Sequence, residues 1–294
     1  MALSDVAMQP SQSPTLHPRL RPIDRLVLGY VAVASAVAVV RLPKYPGCRW
    51  LLVAHCLIAL LVALLSRPDL GRVGRLIREV YPLVLLVALY SALDVLNGSG
   101  AALVHDVTVQ RWEAYLFGGQ PSRDWWRAAP SVFWSTVLHG AYLSYYLIFS
   151  LPAAYFAVRR QMPALRTFIF ALMLTFFSCY LVFIFYPVAG PYYAFPRPTG
   201  PFVANPMARL LYWGLETGSS YGAAFPSSHV AATAAALVAG WWGSRRVGLA
   251  LLLPTVLLII SVVYCQMHYI VDVLAGLVVA AGALWVTSRV RARC

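Results

Sequence analysis

Two histidines and one aspartate carry most of the chemical information in this sequence. His268 and Asp272 stand four residues apart in His268-Tyr269-Ile270-Val271-Asp272. His229 closes the run Ala224-Phe225-Pro226-Ser227-Ser228-His229. On a helix, residues i and i+4 are neighbours. A carboxylate so placed accepts a hydrogen bond from one imidazole nitrogen, fixes the tautomer and leaves the other nitrogen free to attack. Asp272 borders an apolar run, where an ionisable side chain is costly and usually functional; the structural alternative is a histidine capped by a nearby acid. Pro226-Ser227 is a helix-start sequence. A helix start offers unpaired N–H groups and a positive dipole end, which favour phosphate. Ser227 and Ser228 add hydroxyls, and His229 there could protonate a leaving alkoxide. The plainer alternative is a capped helix with an interfacial histidine.

The elements that must position these residues are membrane spans. Of 294 residues, 61% are hydrophobic and 11% charged, against about 45–50% and about 25% in soluble domains. A span needs about 20 mostly apolar residues. The apolar runs predict eight, near 26–42, 50–66, 80–97, 131–157, 164–186, 228–243, 247–266 and 269–288. The fold class is therefore all-α, a polytopic membrane helical bundle: two N-terminal helices within 23–79, then a six-helix core within 80–290. Residues 1–22, rich in Pro and Ser, read as a disordered tail, and no cleavable signal peptide is evident.

The net charge of +13 does not indicate nucleic-acid binding, because the basic residues fall in short clusters between apolar runs. Fifteen of the twenty-three lie on the side of the N-terminus, in clusters such as Arg19-Arg21-Arg25 and Arg289-Arg291-Arg293. That bias predicts cytoplasmic N- and C-termini. The five cysteines include no CxxC pair, so neither a disulfide framework nor a structural zinc is expected. No acidic cluster suits a metal, and no cofactor is expected.

Topology couples the two histidine motifs. Span six enters from the non-cytoplasmic side, span seven returns, and span eight starts again from that side. His229 and His268 therefore share one face, each near a helix start. Two long segments lie on the same side. The first, 98–130, mixes aromatic and charged residues and predicts short helices in the headgroup region; Asp106 and Arg111 are candidates for the pocket mouth, the alternative being a solvated loop. The second, 187–227, contains Tyr192, Tyr193 and Arg197. Asp94 at the outer end of span three and His139 in span four are further pocket candidates, interfacial packing being the plainer reading of His139.

The chain resembles the type 2 phosphatidic acid phosphatase superfamily, whose motifs read KxxxxxxRP, PSGH and SRxxxxxHxxxD. Here the second is Pro226-Ser227-Ser228-His229 and the third runs from Ser261 to Asp272. The first aligns as Gly190 through Arg197-Pro198. The resemblance implies that His268 attacks phosphorus, Asp272 orients it, and His229 exchanges a proton with the departing and incoming alcohols. It implies that Ser227, Ser228 and Arg197 hold the phosphate. Two cations of the pattern are missing: Gly190 replaces the lysine and Val262 the arginine. Fewer charges suit a phosphodiester, with one negative charge, better than a monoester with nearly two. The FPSSH and HYxxD forms are similar to those of inositol phosphorylceramide and sphingomyelin synthases. The expected activity is transfer of an inositol-phosphate-type headgroup from a phospholipid donor to a lipid-alcohol acceptor. The alternatives are a lipid monoester phosphatase, and a lipid-binding or transport protein without catalysis.

Overall fold

The computed structural model describes residues 20–98, 100, 103–218 and 220–291. Residues 1–19 of the expected tail lie outside them; of the rest, Arg21 caps the first helix and Pro22 opens it. The described chain is helical, with one isolated parallel bridge between Val188 and Ala223. In order the helices are α1 (Pro22–Arg41), α2 (Cys48–Leu65), α3 (Arg72–Leu96), α4 (Asp106–Phe117), α5 (Pro121–Ala128), α6 (Val132–Leu143) and α7 (Tyr145–Val158). Then follow α8 (Met162–Phe185), α9 (Pro191–Ala194), a 3₁₀ turn at Gly200–Val203, α10 (Pro206–Gly218), α11 (Ser228–Gly243), α12 (Arg245–Tyr264) and α13 (Ile270–Arg291).

Six of these, α1, α2, α3, α8, α12 and α13, are long and apolar enough to cross a bilayer, and α6 with α7 makes a seventh if the bent pair is one span. The remaining expected span, the sixth in order, is α11, which has 16 residues. At 1.5 Å per residue that is about 24 Å, short of a hydrocarbon core of about 30 Å. Its composition lets it cross inside the other helices, from the histidine end to Gly243 beside Arg21 and Arg291. Ala231, Ala232, Ala235, Ala236 and Ala239 are all buried, and such small side chains let neighbouring backbones approach closely. Helix α11 packs against α8, α12 and α13 and forms the axis of the bundle. The approach is tightest at Gly276, where a Cβ would stand 2.6 Å from the Ser227 carbonyl oxygen.

Span four is broken, where the sequence predicts one continuous helix. Helices α6 and α7 meet at 44° around Ser144, whose hydroxyl donates to the Ala141 carbonyl at 2.6 Å. Helices bend where a serine hydroxyl enters the backbone ladder near a glycine, and Gly140 lies one turn earlier. The bend turns both Tyr142 and Tyr145 onto one ring, that of His229.

Arg41 is one of the charges counted in the topology. Its guanidinium donates to the carbonyls of Leu96 (2.9 Å) and Ile184 (2.7 Å), closing the C-terminal ends of α3 and α8. The segment 98–130 forms two short helices, α4 and α5, as the composition predicts.

Candidate functional site

Ser227 caps α11: its Oγ accepts the Val230 N–H at 3.3 Å. That leaves His229 in the first turn. The chain leaves α12 through Gln266 in a left-handed conformation, φ 60°, and the N–H groups of Met267 and His268 both turn back to the Val262 carbonyl, at 2.9 and 2.8 Å. This brings His268 up beside α11. The Ser227 N–H donates to the Asp272 carbonyl at 2.9 Å, so one main-chain bond ties the start of α11 to the start of α13.

The result is a line of three groups. Asp272 Oδ2 lies 3.3 Å from His268 Nδ1 and accepts the Tyr269 N–H at 2.9 Å. His268 Nε2, on the far side of the ring, lies 3.4 Å from His229 Nδ1. Asp272 is fully buried and its Oδ1 has no hydrogen-bond partner among the described residues. A carboxylate held there stabilises positive charge on His268 and leaves Nε2 as the free nitrogen. Tyr142 and Tyr145 flank His229 with ring centroids 4.6 and 4.3 Å away. The gap between the two ring nitrogens has room for a shared proton and no heavier group.

Helix α4 braces this line from outside. Asp106, Gln110 and Glu113 fall on one stripe, at i, i+4 and i+7. Asp106 accepts the N–H groups of Ala189 and Gly190, both at 2.8 Å, and the Tyr269 hydroxyl at 3.0 Å. Gln110 donates to the same hydroxyl at 3.0 Å. Glu113 accepts the Ile270 N–H and the Ser122 hydroxyl, both at 2.9 Å. Burial pushes the Glu113 carboxyl above its ordinary range. Asp106 is thus turned inward onto backbone and corrects the expectation of a residue at the pocket mouth. Arg111 is exposed on the same helix.

The remaining candidates are spread around the line. Arg197 is exposed, its guanidinium 4.5 Å over the ring of Tyr192. Tyr192 is buried, edge-on to Tyr193 at 4.9 Å. His139 is fully buried; its Nδ1–H donates to the Ser135 carbonyl at 2.7 Å and its ring sits against Phe202 and Tyr212. Asp94 accepts the Ser220 hydroxyl at 2.7 Å and fastens α3 to the segment before α11. Ser228 is buried as the first residue of α11, whereas the Ser227 hydroxyl is engaged in the cap.

Gln266 is a residue the sequence reading passed over. Its side chain is fully buried and all its bonding capacity is used. Oε1 accepts from Trp126 Nε1 and Arg127, both at 2.9 Å. Nε2 donates to the carbonyls of Pro191 (3.2 Å) and Pro196 (3.1 Å). It joins α5 and the α9 segment to the turn that carries His268. A glutamine two residues before the histidine is the only sequence signal.

The two substituted cation positions are closed by packing. Gly190 has φ 94° and ψ 167°, a region essentially restricted to glycine. A Cβ on it would stand 2.9 Å from the Ala224 Cβ and 3.3 Å from the Met267 carbonyl oxygen. Val262 is fully buried in the core. Gly190 therefore has no room for a side chain, and Val262 puts an apolar group in the core where the pattern has a cation.

A family model described as the PAP2 superfamily matches residues 108–286, more than half of the chain. No curated protein and no solved structure matches significantly. The matched span begins inside α4 and includes both histidines, Asp272, Gln266 and the bent pair α6–α7.

Proposed function

Because the chain belongs to the PAP2 superfamily, whose members carry out lipid phosphatase and phosphotransferase chemistry, we propose that it transfers a phosphorylated headgroup of inositol-phosphate type from a phospholipid to a lipid hydroxyl. His268 Nε2 attacks phosphorus; a P–N bond forms and the P–O bond to the diacylglycerol breaks. His229 gives its proton to the departing alkoxide. It then takes the proton of the incoming lipid hydroxyl, whose oxygen attacks phosphorus as the P–N bond breaks. Asp272 holds His268 Nδ1–H and offsets the positive charge of the phosphohistidine. The N–H groups at the start of α11 and the Ser228 hydroxyl receive the phosphoryl oxygens, and Arg197 brings charge to the rim. We place this face outside the cytoplasm, with both termini inside, on the arginine bias.

The observation that carries the choice of a diester is the packing at Gly190 and Val262. A site that lacks both cations, one of them at a glycine with no room for a side chain, suits a singly charged phosphodiester. The test is purified protein given labelled phosphatidylinositol and a hydroxyl lipid. A new labelled phosphodiester lipid is expected, and His268→Ala abolishes it. Release of inorganic phosphate from phosphatidic acid or a polyprenyl phosphate, with no new diester, would show instead that water is the acceptor and that the protein is a monoester phosphatase.

A further inference from the structure

At the end of the bundle opposite the histidines, a cavity of about 600 Å³ opens between the start of α1, the start of α8, the end of α11 and the end of α13. Three guanidiniums line it, from Arg21, Arg166 and Arg291, and its walls include Ile23, Phe170 and Trp242. Arg21 and Arg166 share one acid, Glu79, at 2.9 and 2.6 Å. Arg291 stacks over Trp242 at 5.7 Å. Three positive charges thus face a single carboxylate beside an apolar wall. The start of α8 adds a positive dipole end at Pro163 and Ala164. Depth is indicated by α13 itself: Arg289 stacks on Trp285 at 5.2 Å, and paired arginine and tryptophan are interface anchors.

We propose that this cavity binds one anionic phospholipid of the leaflet opposite the catalytic face, its phosphate on Arg166 and Arg291 and an acyl chain along Phe170 and Trp242. Basic pockets between transmembrane helices bind acidic headgroups in this way. A zwitterionic lipid has no net charge to match the surplus. Residues 1–19 carry one acid, Asp5, against Arg19 and are no better match. The site lies the length of α11, about 24 Å, from His229, so it stands or falls independently of the reaction proposed above.

The test uses the full chain in phosphatidylcholine nanodiscs with a trace of photoreactive phosphatidylglycerol, and maps the label by peptide mass spectrometry. Label is expected within 163–170 or 285–291, displaced by unlabelled phosphatidylglycerol and not by added phosphatidylcholine. Arg291→Gln, which breaks no ion pair described here, should weaken retention about fivefold, and adding Arg166→Gln should weaken it about fivefold again. Arg166→Lys, Arg291→Lys and His268→Ala should keep it. Equal displacement by phosphatidylcholine, unchanged retention in Arg291→Gln, or label confined to the histidine end would each overturn the proposal.

Discussion

Replacing Gly190 by alanine adds one methyl group between two parts of the site. The backbone there is φ 94°, ψ 167°, where an L-residue is strained by about 1–3 kcal/mol. The new Cβ would also meet the Ala224 Cβ at 2.9 Å and the Met267 carbonyl oxygen at 3.3 Å. Neither is the free end of a flexible chain, so relief requires backbone movement, at about 1–3 kcal/mol more. The total, about 2–6 kcal/mol, falls in part on the residue that precedes His268. A displacement of about 1 Å at a reacting group costs about 10²-fold in rate. Gly190→Ala should therefore lower kcat by about that factor even at temperatures where the protein stays folded, with a smaller change in KM. Gly190→Lys should do worse, and should not create monoester phosphatase activity. The assay is initial rate on labelled donor, alongside a thermal unfolding curve in the same detergent. A folded Gly190→Lys protein that hydrolyses phosphatidic acid faster than the parent would refute the claim that packing closes this position.

Three other outcomes follow from the same geometry. Gln266→Ala takes the Trp126 N–H's partner, while Arg127 and the carbonyls of Pro191 and Pro196 keep other partners, and should lower stability by about 1–3 kcal/mol and kcat more than KM; an unchanged kcat would remove its positioning role. Asp272→Asn should cut the transfer rate by about 10²–10⁴-fold with substrate binding kept, since the imidazole loses its charge partner; a wild-type rate would show that His268 needs no carboxylate. Glu113 has its carboxyl raised by burial, so the stability it contributes is complete below the ordinary value of 4.5 and is lost as pH rises through the raised one. Glu113→Gln should consequently raise the Tm near neutral pH, with the gain shrinking as pH falls, and a gain independent of pH would contradict this assignment.

The residues that do chemistry were legible because their signal is local. His268 and Asp272 are one helical turn apart, and Pro226-Ser227 announces the start of α11, so counting spans was enough to bring His229 to the same face. What holds them was not legible, because it depends on partners far away in sequence. Glu113 reaches Ile270 across 157 positions and Trp126 reaches Gln266 across 140. Hydropathy alone describes α11 as a span like the others and does not reveal that its alanines bury it as the axis of the bundle. The break at Ser144 escaped notice because serine is tolerated in apolar helices, and the bond that bends the chain exists only after folding. Asp106 was noticed for its charge and misplaced for the same reason: an acid in an aromatic loop reads as solvated until the N–H groups it accepts are known.

The bond from the Ser227 N–H to the Asp272 carbonyl has a consequence for how such a protein can change. It uses no side chain, so the separation of the two histidines is inherited with the backbone and survives substitution around it. Selectivity for what enters can then drift in α4–α6 and in 187–205 without retuning the reacting pair. A lineage built on this arrangement can exchange one acceptor for another by altering the wall of the site, while the spacing of the proposed reacting pair stays fixed.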